Sequence, residues 1–203
     1  ADKLVGWWPM NDYEVSQEYF QKYAYDFSAN LHQHLDFSPS LSWPIANEVG
    51  GGLVFNDGKS DYATSGSSAL HGLSDALTVE LWMKIDDVNA DAPWVVAKNK
   101  EFALGYTGGH YQATIALQSP NVCGGTGFVG GGGTPVPSAN FIDGQWHYVA
   151  MTYDTGTLTI YIDGKSDKTQ GALGVLSTQC TEALGLNFAS YPNYLNDAFG
   201  NFK

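Results

Sequence analysis

The sequence predicts an all-β protein, a two-sheet antiparallel sandwich. Three observations lead there. Residues 77–85, 94–97, 102–106, 111–117, 147–153 and 158–162 are runs of strand length rich in β-branched, aromatic and alternating apolar residues. Turn chemistry punctuates them: Asn56-Asp57-Gly58, Tyr153-Asp154-Thr155-Gly156 and Ile162-Asp163-Gly164 supply the residue types that tolerate positive φ at a tight bend. Within residues 157–163, Leu158, Ile160 and Ile162 share one face and Thr157, Thr159, Tyr161 and Asp163 the other, the pattern of a strand with one core side and one wet side.

At 203 residues the chain suits a single sandwich domain, residues 1–203, with no internal repeat and no linker. The segment at 12–25 offers the one candidate helix, because Val15, Tyr19, Phe20 and Tyr23 recur at three- and four-residue spacing behind a possible Asp12 cap. Residues 124–137, GGTGFVGGGGTPVP, are too glycine-rich to offset the entropy of a packed strand and read as a long surface loop.

Charge narrows the partners. Nine Lys plus Arg stand against 21 Asp plus Glu, a formal net charge of -12, and no stretch gathers the cations into a patch. Nucleic acid and anionic membrane are poor candidates as partners on that balance, and no nucleic acid is expected. No apolar run approaches the length of a membrane span, so membrane insertion is not expected. The first residues, Ala1-Asp2 without Met, suit a mature end left by signal-peptide cleavage, and the expected location is secreted, extracellular. Cys123 and Cys180 sit in separate polar surroundings rather than in a metal or redox motif. A single disulfide is the simplest reading and fits an oxidising compartment, two free buried thiols being the alternative.

Catalytic patterns are missing. No Gly-x-Ser-x-Gly elbow, His-Glu-x-x-His helix or Gly-x-x-x-x-Gly-Lys loop occurs, and Glu80 has no partner carboxylate at the alternating spacing a glycosidase would use. His147 stands at a strand start with no neighbouring nucleophile, as a packed or hydrogen-bonded histidine does. Trp82 and Trp146 read as large apolar anchors on strands. Aromatic rings in loops offer flat apolar faces to sugars, and Trp43, Tyr106, His110, Tyr111, Tyr191 and Tyr194 fall in such regions as candidate ligand-binding residues.

Five stretches, in order, resemble the laminin-G-like (concanavalin A-like lectin/glucanase) superfamily. They are Leu4-Val5-Gly6-Trp7-Trp8-Pro9-Met10; Asp26-Phe27-Ser28-Ala29-Asn30-Leu31-His32; Gly52-Leu53-Val54-Phe55-Asn56-Asp57-Gly58 with Asp61-Tyr62; residues 77–84; and residues 143–154 running on to 158–164. The resemblance implies a concanavalin A-like jelly roll and a non-catalytic module for carbohydrate binding or surface adhesion, with a glycan or cell-surface ligand as partner. It also implies a structural Ca²⁺ held by Asp26, Asn30 and backbone carbonyls near His32. Carboxylate and carbonyl oxygens are the ligands this hard cation prefers. Ala29 stands where the family's loop carries Gly. Members of the family close with a strand resembling Gly-x-Ile-Asp-Glu-Val-Arg-Ile-Tyr, whereas this sequence stops at Asn201-Phe202-Lys203. An open sheet edge is therefore expected, and with it an alternative function, a subunit of an extracellular filament, sheath or coat whose sandwich a neighbouring chain completes, a homo-oligomer or polymer.

Overall fold

In the computed structural model the residues described are 4–10, 13–15, 22–28, 34–38, 41, 52–55, 61–65, 75–86, 94–98, 101–117, 127–128, 136–141, 143–171, 174 and 184–186. Among them every regular element is a strand: β1 (Tyr13–Val15), β2 (Lys22–Ala24), β3 (Leu35–Phe37), β4 (Ala63–Thr64), β5 (Ala76–Met83), β6 (Trp94–Lys98), β7 (Phe102–Thr107), β8 (His110–Leu117), β9 (Gly127–Phe128), β10 (Val136–Phe141), β11 (His147–Asp154), β12 (Thr157–Ile162), β13 (Lys165–Gly171) and β14 (Leu184–Leu186). They form a ten-stranded antiparallel sheet in the order β1-β2-β3-β4-β14-β6-β7-β8-β10, with β9 also on β8, and a four-stranded sheet in the order β13-β12-β11-β5. The jump from β4 to β14 and on to β6 places chain-distant strands side by side, as a jelly roll does.

The core lies between the inner faces of the two sheets. Leu77, Met83, Val149, Met151, Tyr153, Leu158, Ile160 and Ile162 come from the small sheet and meet Val96, Phe102, Leu104, Tyr106, Tyr111, Ala113, Ile115 and Leu184 from the large one. Alternation makes this possible, because residues two apart on each strand point the same way. A second cluster of Ala24, Leu35, Phe37, Leu41 and Ala63 fills the β2–β4 end. Trp8 packs against both clusters and joins them. Burying a polar tip needs a partner, and the Tyr153 hydroxyl donates to the Gly174 carbonyl.

All six runs expected as strands are strands. The turns follow from their residues. Asp154 pairs with Thr157, leaving Thr155 and Gly156 as a two-residue loop with φ of 25° and 104°, and Ile162 pairs with Lys165 around Asp163 and Gly164 at 50° and 75°. Positive φ at both loop residues gives the backbone twist that matches the strands of a hairpin.

Two expectations need correction. The described parts of residues 12–25 are strand, not helix: Tyr13–Val15 and Lys22–Ala24 pair antiparallel, with Tyr13 opposite Ala24 and Val15 opposite Lys22. Tyrosine and valine favour the extended chain, and extension brings the Tyr23 and Tyr25 rings within 5.2 Å of each other and both against His34, at 5.4 and 4.7 Å. The glycine-rich stretch is not loop throughout either, since Gly127–Phe128 pairs with β8 and Val136 and Pro137 open β10 opposite Ala113 and Gln112. Backbone ladder bonds to an existing strand stabilise what the side chains do not. The final segment, residues 197–203, lies outside the described residues.

At the bend between β6 and β7 the Lys98 ammonium and the Glu101 carboxylate form an ion pair with both side chains buried. Two charges out of water are tolerated only together. Glu101→Gln is therefore expected to cost about 3–5 kcal/mol in denaturant unfolding, whereas the double change Lys98→Met with Glu101→Leu costs far less or nothing. Equal costs for the single and double variants would contradict this description of the pair.

Candidate functional site

The two sheets differ in what their second faces offer. On β6–β8 that face is closed as well: Ala97, Ala103, Gln112, Thr114 and Ala116 are all buried. The small sheet leaves the outer face of β5 to solvent, while Ala150 and Thr159 on the same side of β11 and β12 are buried. On β5, Leu77 and Met83 are buried and Val79 and Leu81 pack against the core, so Thr78, Glu80, Trp82 and Lys84 point outward and are exposed.

Trp82 dominates this face, 47% exposed despite its size. Its partner across the ladder is Tyr148 of β11, and the two ring centroids lie 5.6 Å apart with the planes tilted by 54°. The next pair along is Glu80 with Ala150, and Ala150 in turn faces Tyr161 of β12. The Tyr148 pKa is pushed up to about 12, by burial first and then by hydrogen bonding with Glu80 and by its charge. Thr78 and Thr152 occupy the following pair. The result is an aromatic pair bordered by one carboxylate and by threonines, set across the edge strand β5 and its neighbour β11.

Tyr148 is held from behind. Its backbone N–H donates to Asp163 Oδ1 at 3.0 Å, and its carbonyl accepts from the Asp163 N–H at 2.8 Å. Asp163 thus serves twice, as the positive-φ residue of the β12–β13 turn and as the brace of β11. His147 sits between two carboxylates, Nδ1 2.8 Å from Asp163 Oδ2 and Nε2 3.0 Å from Asp143 Oδ1. Both ring nitrogens donate only in the imidazolium form. The carboxylate bonds hold His147 above its ordinary value, that to Asp143 most, while the bond from His147 holds Asp143 and Asp163 below theirs. Beneath them lies Tyr111, its ring edge-on to His147 at 6.1 Å, its hydroxyl buried and its pKa raised to about 12 by burial and then by the two aspartate charges.

The residues singled out in the sequence fare unevenly. Tyr106 and Tyr111 are not loop platforms: they face each other across β7 and β8 inside the core, 9% and 1% exposed, so neither ring is open to a sugar. The two-residue turn Gly108-Gly109 is short enough to carry both into strands. His110 opens β8 opposite Thr107 and is half-buried. Asp26 is buried; its Oδ1 accepts from the N–H groups of Trp7 at 2.9 Å and Ser28 at 2.8 Å, and its Oδ2 from the Ser28 hydroxyl at 2.9 Å. Asn30, His32, Trp43, Cys123, Cys180, Tyr191 and Tyr194 lie outside the described residues. Among the described residues no group of three His, Cys, Asp or Glu side chains converges to hold a metal. Trp82, read as a large apolar anchor on a strand, does stand on one but is exposed, and the alternation Leu77, Val79, Leu81, Met83 is the signal that puts it outside.

Comparison with known proteins fits this architecture. The family profile described as the concanavalin A-like lectin/glucanases superfamily matches residues 57–193. The chain belongs to that superfamily. Among curated proteins no sequence matches it. Solved structures resemble it in fold: the binding domain of Paraclostridial Mosquitocidal Protein 1 at TM-score 0.60 and 10% identity, covering 88% of this chain and 44% of that one. Domain 4 of AbnA, a GH43 extracellular arabinanase from Geobacillus stearothermophilus in complex with arabinotriose, aligns at TM-score 0.51 and 14% identity over 73% and 66%. The binding domain of botulinum neurotoxin DC in complex with SialylT aligns at TM-score 0.52 and 11% identity over 91% and 44%. The chain thus spans under half of each toxin domain and about two thirds of the arabinanase domain.

The His147 clasp has a definite pH signature. Its contribution is fully present below the ordinary histidine value of 6.5 and is lost as pH rises through the raised folded value. The aspartate contributions are present above their ordinary value of 3.8 and are lost as pH falls through the lowered folded values. NMR titration is expected to place His147 above 6.5, and Asp163→Asn to bring it down. A wild-type His147 titrating at or below 6.5 would contradict the clasp.

Proposed function

We propose that this chain is a non-catalytic extracellular module that binds carbohydrate on the outer face of its four-stranded sheet. The observation that carries the reading is Trp82, exposed beside Tyr148 at 5.6 Å. Sugar rings present apolar C–H faces that stack on aromatic rings, and they present hydroxyls that a carboxylate accepts, which is the pairing Trp82 and Glu80 offer. The superfamily supports the reading in kind, as do the similar structures holding arabinotriose and SialylT. Binding without hydrolysis follows from the surroundings of Glu80, whose neighbours on this face are Thr78, Trp82, Tyr148, Ala150 and Thr152. Glycosidases need a second carboxylate across the sugar bond, and none of these supplies it.

A structural Ca²⁺ belongs to the same reading. Asp26 presents a buried anionic oxygen pair tied to Trp7 and Ser28, a hard donor of the kind this cation takes, with Asn30 and His32 as its expected fellow residues from the sequence. Bound there, the ion would fix the loop that Asp26 already draws onto the chain start. Saturation at a hundredfold over Kd stabilises by about 2.7 kcal/mol, so chelation is expected to lower Tm by about 5–10 °C, and an unchanged Tm would remove calcium from the account.

Binding is tested by titrating soluble glycans into the wild type, Trp82→Ala and, as an exposed-aromatic control, Trp7→Ala. Saturable binding that survives Trp7→Ala and falls at least about tenfold, roughly 1.4 kcal/mol, in Trp82→Ala is expected. Binding indifferent to Trp82, or none to any glycan, would overturn the reading.

A further inference from the structure

We infer that the ligand of this face is a single, uncharged, twisted polysaccharide chain, not a flat crystalline surface and not an acidic glycan; the inference rests on the carbohydrate reading above. Geometry supplies the first half. A sugar stacks with its ring roughly parallel to the aromatic ring beneath it, so two aromatic planes dictate the planes of two sugars. Trp82 and Tyr148 stand close enough for neighbouring sugars of one chain, yet their planes differ by 54°. A flat array of parallel ribbons cannot lie on both. Successive sugars of a helical chain, each turned relative to the last, can.

The tilt is built in. Tyr148 is fixed at its backbone by Asp163, through its N–H and its carbonyl alike. Because Trp82 and Tyr148 are cross-strand partners, the chain runs across the strands, from β5 over β11 towards Tyr161 on β12.

Charge supplies the second half. Glu80 stands beside the aromatic pair, Asp163 accepts from the Tyr148 N–H behind it, and the neighbouring cations are engaged: His147 by Asp143 and Asp163, and Lys84 by Asp86 at 2.9 Å. With a net charge of -12, an acidic sugar would meet carboxylates and a repulsive field. A neutral sugar instead donates its hydroxyls to Glu80.

The test uses the full chain with four probes: debranched arabinan and amylose as soluble twisted chains, microcrystalline cellulose as a flat surface, and heparin as an acidic chain. Affinity electrophoresis and pull-down are expected to show retention by arabinan or amylose, weakened at least about tenfold by Trp82→Ala and also by Tyr148→Ala. Tyr148→Phe, which keeps the ring and removes only the hydroxyl, is expected to give an intermediate loss. Thermal melts of each variant confirm folding. Trp82-dependent binding to cellulose or heparin would overturn the inference while leaving carbohydrate binding at this face intact. Absence of binding to all four would overturn both.

Discussion

The register of β5 against β11 is the constraint on which the rest depends. Eight cross-strand pairs, from Ala76 with Asp154 to Met83 with His147, hold the two strands in one alignment. Side chains alternate with a period of two, so a slip of one residue would send Leu77, Val79, Leu81 and Met83 into solvent and Trp82 and Glu80 into the core. The core enforces the register, because Val149, Met151 and Tyr153 on β11 and Leu158, Ile160 and Ile162 on β12 meet the same apolar layer. Once the apolar set is inside, the outer set is determined: Thr78, Glu80 and Trp82 beside Tyr148, Ala150 and Thr152. The proposed binding face is thus the remainder of the packing problem, and it costs the core nothing.

Polar chemistry then holds the face in place. Asp163 occupies a position whose positive φ suits a short polar residue, and its carboxylate reaches back to the Tyr148 N–H and to His147. His147 ties the same turn to Asp143. The ring that forms half of the aromatic pair is consequently anchored by a hairpin turn two strands' width of sequence away. The large sheet plays a different part. Its β6–β8 region is buried on both faces and carries the Lys98–Glu101 pair at its bend, so it acts as the rigid wall against which the small sheet is set.

Much of this was legible in the sequence where one principle acted alone. The six strands and the Thr155-Gly156 and Asp163-Gly164 turns follow from alternation and turn chemistry. Where two principles competed, local pattern was the weaker guide. Val15, Tyr19, Phe20 and Tyr23 carry helical spacing, yet at Tyr13–Val15 and Lys22–Ala24 mutual pairing, the pairing of Tyr23 and Ala24 with β3 and the Tyr23–Tyr25–His34 ring cluster select strands. Tyr106 and Tyr111 sit next to Gly108-Gly109 in sequence, which suggests a loop, but a two-residue turn leaves them inside the ladder and the core. The size of Trp82 marks it as an anchor, but the face on which it stands is readable from Leu77, Val79, Leu81 and Met83. The tilt between Trp82 and Tyr148 and the His147 clasp depend on which strands become neighbours, and no spacing along one chain encodes that.

The central claim is that ligand meets the outer face of the small sheet and not the closed face of the large one. Amide chemical shifts of the isotopically labelled protein, followed during titration with arabinan oligosaccharides, test it directly. The account requires the largest changes at residues 80–83 and 147–150, with residues 103–105 and 112–114 unmoved. The reverse pattern, with shifts centred on Ala103, Gln112 and Thr114 and none at Trp82 or Tyr148, would contradict it.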